Sequence, residues 1–405
     1  MPMKSTGAFN MIIGLVTAWL VFSQAMAQPI SLTVNQAPAI APGPAGLGVQ
    51  FIGTEDAHAK ILEEMNELFV SLNIKPGLAA ATAYPKSNSL IFTLTTPPGE
   101  TKTLDLAKRP EFDIKDDWVK LPTAKGPLRS VSTVSKKEIV LALMQHGRTT
   151  VFAGENCNME SFKDHVGIRQ NIVAWVQYLE WRWPNGGAAS WNKVYWNRGT
   201  PVPGHALPTV FRDAFLHQKL YVIGCYTATK LSMVHGVLDY YSRIKQDGKT
   251  LARIEAALMA DGEPLTYIEP AKMWFFEDDY PGEDRAREGK LVCLIEEVAS
   301  DNFIPGDWAY FLNPDPITCQ KTGYEGSNSI YLGRDKFDDY YNEHDHSYSF
   351  RQKLDEVYQW RNHVFNRKRD RAKIKPLDEN QFKSLTNDPA QGGVIFKYRA
   401  VVKQF

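Results

Sequence analysis

Cys225 is the side chain of this sequence best placed to act as a nucleophile. It stands between a β-rich approach, Leu220-Tyr221-Val222-Ile223 with Gly224, and a stretch of helical apolar spacing formed by Ala228, Leu231, Val234, Leu238 and Tyr241. A cysteine at the mouth of a helix meets unpaired N–H groups and the positive end of the helix dipole, which favour the thiolate. The plainer alternative is a buried structural thiol, since free cysteine is among the most buried residue types. Acyl transfer through a thioester also needs a group that shuttles protons and N–H donors for the oxyanion. Those groups meet in space, so spacing along the chain does not identify them.

A second constellation is Glu343-His344-Asp345-His346. His-x-His on a strand points both imidazoles to one face, as a metal site requires. No CxxC or HExxH accompanies it, so the pair reads as a solvated turn and no metal is expected. A GxxxxGK[ST] phosphate loop is missing from the sequence, and no organic cofactor is implied.

The elements that must position these groups alternate irregularly. Helical patterns cover 57–72, 137–145, 161–181, 208–216, the stretch after Ala228, 250–259 and 350–365. Strand patterns cover 90–94, 150–153, 291–295, 308–311 and 329–332. This is α+β, not a doubly wound sheet. The segment with Trp181, Trp183, Trp191, Tyr195 and Trp196 reads first as a loop pinned to the core by its rings, and second as the lining of a groove.

Among 405 residues, 43% are hydrophobic and 23% charged, the balance of a folded protein with one large or two modest domains. Lys and Arg number 46, and so do Asp and Glu. That leaves no basic excess for phosphate binding, so nucleic acid is not expected as a partner. Lys4, an apolar run from Met11 to Phe22, and Ala25-Met26-Ala27 read as a secretory signal cleaved after Ala27. About 12 apolar residues are too few to span a bilayer. A secreted or periplasmic mature chain without stable membrane insertion is therefore expected. If Cys225 stays free, Cys157, Cys293 and Cys319 can form at most one internal bridge, Cys293–Cys319 being one option. The expected order is a signal peptide over 1–27, a Pro/Ala-rich spacer over 28–49, an accessory region over 50–140 and a catalytic domain over 141–405.

Several short pieces carry a further signal. They are Ser161-Phe162 with Arg169-Gln170-Asn171-Ile172-Val173, Trp191-Asn192 with Tyr195-Trp196, and Leu207-Pro208 with Asp213-Ala214-Phe215. Cys225-Tyr226-Thr227-Ala228, Val237-Leu238-Asp239, Pro305-Gly306-Asp307, Tyr310-Phe311 with Asn313-Pro314-Asp315, and Gly326-Ser327-Asn328 follow. In this order, over about half of the chain, they resemble the bacterial spore-coat type of protein-glutamine gamma-glutamyltransferase (transglutaminase). The resemblance implies an α+β, papain-like core related to the NlpC/P60 cysteine peptidases, with the nucleophile helix packed on an antiparallel sheet.

It also implies chemistry. Cys225 would attack a glutamine side chain of a protein substrate, release ammonia, and pass the acyl group to a lysine amine as an isopeptide cross-link. Two positions differ from the family. Its Glu before the nucleophile is Gly224 here, and the acidic residue of its Gly-Glu-Asn is Ser327, where the NlpC/P60 relatives carry their catalytic histidine. The family's Gly-His-Gly has its nearest counterpart in His346, favoured by its distance to the following helix, or in His344. Glu325 and Glu343 are further residues that could orient that imidazole. The alternatives are an NlpC/P60-type cysteine amidase or peptidase on the same core, and a catalytically silent binding or structural homologue.

Overall fold

The computed structural model describes residues 48–96, 103–184, 188–261, 291–295, 302–313, 315–338, 340–341, 347–365, 371–387, 391, 395–402 and 404–405. The leader, nearly all of the spacer, residues 276–290 and the segment with Glu343, His344 and His346 lie outside the described residues.

Strand β1 (Gly48–Ile52) is followed by helix α1 (Glu55–Ser71), whose first turn is capped by the Thr54 hydroxyl accepting the Ala57 N–H. Strands β2 (Ala79–Tyr84) and β3 (Ser89–Leu94) come next, then a hairpin of β4 (Asp117–Leu121) and β5 (Arg129–Thr133). Helix α2 (Lys136–Leu143), capped by Ser135, leads into β6 (Thr149–Ala153). The resulting sheet has the order β2-β3-β1-β6 and is antiparallel except at the parallel β1–β6 pair. Residues on both sides of position 141 therefore share one sheet and one apolar core.

Helix α3 (Met159–Val176) is capped by Asn158 and ends at Gln177, earlier than the helical pattern to Trp181 suggests. Trp181 is recruited elsewhere: its backbone bridges to Tyr341 and its indole N–H donates to the Ala214 carbonyl. The ring-rich loop after it carries a short ribbon, β7 (Trp196–Asn197) with β8 (Thr200–Pro201). Trp191 and Trp196 pack against each other, and against Tyr221 and Phe211 respectively, which pins this loop to the core. Helix α4 (Leu207–Leu216) follows, then a 3-10 turn at Gln218–Leu220. The approach to Cys225 is thus not a strand. Val222 makes only isolated bridges to Arg182 and Ser190. Helix α5 (Cys225–Asp239) and helix α6 (Gly248–Asp261) complete this half.

The second sheet is antiparallel throughout. It uses β9 (Val292–Ile295), β10 (Trp308–Leu312), β11 (Gly326–Gly333) and β12 (Lys336–Asp338), and its order is β12-β11-β10-β13-β9. Helices α7 (Phe350–Arg361) and α8 (Glu379–Leu385), each opened by a capping box, precede β13 (Ile395–Val402), which enters between β10 and β9. Helix α5 is enclosed by α3, α4 and β11 and is buried on every side from Thr227 to Asp239. Its apolar spacing suggests an amphipathic helix, but its polar residues, among them Lys230, His235 and Asp239, are buried as well. The α+β class and the Cys225 helix on an antiparallel sheet are both present, the arrangement expected for a papain-like core.

Two buried aspartates hold this assembly. Asp239, ending α5, accepts from the Trp175 indole and the Asn171 amide of α3, and pairs with Arg243 and with Arg212 of α4. Gly236 lets α3 and α5 cross closely, since a Cβ there would come within 2.1 Å of Ile172. Asp307 lies in the turn before β10 and receives Arg169 of α3 at 2.8 Å and Arg148, the residue preceding β6, through both guanidinium nitrogens. All three residues are buried. Burial alone would raise the Asp307 carboxyl; the two guanidiniums outweigh it and hold it down at about 2.

Removing the carboxylate would leave two guanidiniums buried without their counter-charge. Asp307→Asn is expected to cost about 3–5 kcal/mol in urea unfolding. Because the folded-state carboxyl lies below its unfolded value of 3.8, this stabilisation is present above pH 4 and is lost as pH falls through about 2. A variant within about 0.5 kcal/mol of the wild type would show the cluster to be dispensable.

Candidate functional site

Gly224 is the N-cap of α5 and Cys225 its first helical residue. Glycine supplies no side-chain cap, so the positive end of the dipole is left facing the thiol's surroundings. The backbone at Gly224 is extended, with φ −74° and ψ 163°, and a Cβ built there meets no atom within 4 Å. The position that carries Glu in the resembling family has room for a side chain. Cys225 is half-buried, and Cys157, Cys225 and Cys319 are free thiols.

The sulfur meets Asn328 of β11, whose Nδ2 donates to it at 3.4 Å. The orientation of that amide is dictated by Trp308 on the adjacent strand. The indole Nε1–H is a donor only, and it donates to Asn328 Oδ1 at 2.8 Å, so the NH2 group is turned toward the sulfur. A fixed donor of this kind points the positive end of an N–H dipole at the sulfur. Ser327, the preceding residue, is also buried, but its Oγ has no hydrogen-bond partner among the described residues. Successive strand residues face opposite ways, so Ser327 and Asn328 cannot both address α5. Glu325 lies just before β11, exposed, with both carboxylate oxygens accepting the Gly323 N–H. Among the described residues, then, Asn328 is brought to Cys225, and Ser327 and Glu325 are given no hydrogen bond to it. His344, His346 and Glu343 lie outside the described residues.

The turn that leads into Cys225 is braced from the chain leaving β12. Tyr341 donates its hydroxyl to the Ile223 carbonyl at 2.9 Å, and the Tyr340 hydroxyl meets Thr229 Oγ1, which also donates to the Cys225 carbonyl. Tyr340 pays for this with a φ of 77°, in a region that bulky residues rarely adopt. Its N–H is held by Asp338 Oδ1, and its carbonyl accepts the Trp181 N–H. Two tyrosine hydroxyls thereby hold Tyr340 and Tyr341 against Thr229 and Ile223, on the two sides of Cys225 along the chain.

The helix carries a second set of polar residues. Tyr226, next to the thiol, packs on Trp308 with ring centroids 5.5 Å apart, and the Lys230 ammonium sits 4.3 Å from the Tyr226 ring centroid. His235 is further along α5, stacked on Phe215 at 4.1 Å, and burial pushes its imidazole down to about 3. It is a neutral core residue ten positions beyond the thiol. Among the described residues no group of His, Cys, Asp and Glu side chains could hold a metal ion, and no helix is long and apolar enough to cross a membrane.

Asn328, Tyr226 and Lys230 were not singled out by residue type. Gly326-Ser327-Asn328 drew attention to its middle position; strand alternation turns the next residue toward the helix instead. Tyr226 and Lys230 lie four residues apart, the spacing at which helix side chains meet, and that was the available signal.

Compared with known proteins, residues 123–345, more than half of the chain, match the protein-glutamine gamma-glutamyltransferase family. A solved structure, a transglutaminase from Geobacillus stearothermophilus without its C-terminal extension, is similar at 16% identity with a TM-score of 0.34. That match covers 61% of this chain and 94% of the other. No curated protein matches.

Asn328→Ala removes the donor on the sulfur and the acceptor of the Trp308 indole together. It is expected to slow alkylation of Cys225 at pH 7 about three- to tenfold and to cost about 1–3 kcal/mol in stability. An unchanged alkylation rate in the folded variant would show that the amide does not act on the thiol.

Proposed function

The chain belongs to the protein-glutamine gamma-glutamyltransferase family, and we propose that it is an exported enzyme that cross-links proteins through a thioester on Cys225. The observation that carries this reading is the family match over a segment in which a free thiol opens a buried helix and meets a fixed amide donor. A transglutaminase-type acyltransferase needs that thiol as its acyl carrier.

Sγ attacks the carboxamide carbon of a glutamine side chain as the thiol proton passes to a base. The tetrahedral intermediate collapses, the C–N bond breaks, and the base returns the proton to the leaving ammonia. The thioester is then attacked by a lysine ε-amine, whose proton passes to the base. The C–S bond breaks and the isopeptide is released. The N-terminal end of α5 supplies a positive dipole for the oxyanion. His346 is proposed as the base, with His344 the second choice, because imidazole carries and releases a proton near neutral pH and the family's carboxylate positions are Gly224 and Ser327. The leader ending at Ala27 would send the mature chain to the periplasm or outside the cell, where its substrates are proteins bearing accessible glutamine and lysine.

The test is incubation of the mature protein with casein and a fluorescent primary amine. Cys225→Ala should abolish label in casein, His346→Ala should lower its rate by about 10²–10⁴-fold, and His344→Ala should change it by less than about threefold. Ammonia release without label would instead identify an amidase on the same core. Absence of both products would identify a silent homologue.

A further inference from the structure

An ammonium buried inside the helix that carries the thiol is costly, because its desolvation must be offset by specific contacts. Lys230 is such a group: it is fully buried, five residues after Cys225, with its Nζ over the Tyr226 ring. A cation on an aromatic face recovers part of that cost, and the contact also holds the ring. The fixed ring in turn packs on Trp308, at 5.5 Å and 55° between planes. Trp308 sets the Asn328 amide through its 2.8 Å indole bond, and Asn328 donates to the sulfur. Four consecutive contacts thus lead from Lys230 to Cys225. They pass through the residue beside the thiol, then across β10 and β11, and return.

We propose that Lys230 is a positioning residue of the transfer reaction: by clamping Tyr226 against Trp308 it keeps the Asn328 donor on the Cys225 sulfur. This rests on the reading of Cys225 as the nucleophile. The clamp accounts for two otherwise unhelpful choices on one helix, a bulky ring immediately after the thiol and a buried cation one turn further on. Without the cation the Tyr226 ring loses a contact that presses it on Trp308, and the Asn328 amide loses part of what orients it on the sulfur. Asn328 touches the sulfur directly, whereas Lys230 acts through three intermediaries, so its removal weakens the contact without deleting it.

The experiment uses the full mature chain and reads two quantities: the rate of Cys225 alkylation by iodoacetamide, and kcat and KM for amine incorporation into casein. Lys230→Met, similar in length and apolar, should slow alkylation at pH 7 about fivefold and lower kcat by a similar factor with KM within twofold. Lys230→Arg, which also stacks on aromatic rings, should retain at least half of both rates. Tyr226→Leu should reproduce the Lys230→Met loss, and Tyr226→Phe, which keeps the ring, should not. The double variant Lys230→Met/Tyr226→Leu should be no slower than the slower single variant.

Unchanged alkylation in a folded Lys230→Met protein overturns the proposal. So does a double variant whose losses multiply, because the two residues would then act separately. If Lys230→Met does not fold, the Tyr226→Leu and Tyr226→Phe pair decides: equal alkylation rates in the two overturn the proposal as well. Alkylation does not require turnover, so a wild type that alkylates in a Lys230-dependent way yet labels no casein would reject the transferase reading and leave the clamp standing.

Discussion

Asp307 sits where the two sheets and the central helices meet. Its carboxylate is shared by Arg148, whose carbonyl accepts the Gly48 N–H at the start of β1, and by Arg169 of α3. The same turn is sewn to β11, since the Gly306 N–H donates to the Tyr331 carbonyl and the Tyr331 N–H to the Asp307 carbonyl. Gly306 has φ +87° and lies so close to Arg169 that a Cβ would approach its Cα to 3.2 Å. A buried ion cluster of this kind is not an inexpensive source of stability. What it provides is a unique setting of β11 against α3, and β11 carries Asn328. His165, whose Nε2 accepts from the Arg169 Nε–H, is kept neutral by burial and by the two guanidiniums.

The site follows from that setting. Helix α5 runs through the core with its open end at Gly224, and its far end is fixed by Asp239. Its flank is fixed by Gly236 against Ile172. With both helix and strand immobilised, the distance from Asn328 to Cys225 is determined by packing rather than by a flexible loop. Two features then direct partial positive charge at the thiol: the N-terminal end of the helix and an oriented amide. Transglutaminase chemistry begins with attack by sulfur, and a thiol held in this setting suits that step.

Much of this was legible in the sequence. Cys225 at the mouth of a helix, the α+β class and the ordered pieces of the family pattern were all visible, because thiol placement and apolar periodicity are local properties. What was not legible depends on long-range pairing. β13 went unrecognised, and it joins the middle of the second sheet from the far end of the chain. The approach at Leu220–Ile223 has strand-forming residues, yet it receives only isolated bridges because Ser190 and Arg182 supply single contacts there. Trp181 reads as a continuation of α3 but is drawn to Ala214 and Tyr341. The choice between Ser327 and Asn328 turns on which face of β11 meets α5, a fact of tertiary packing that residue type does not carry.

The central claim is that Cys225 carries the acyl group, and intact-mass analysis after rapid mixing with a glutamine-containing peptide tests it most directly. The account predicts a transient species heavier than the enzyme by one peptide less one ammonia, discharged by added primary amine and missing from Cys225→Ala. Amine incorporation into the peptide without that adduct, or an adduct that persists in Cys225→Ala, would contradict it.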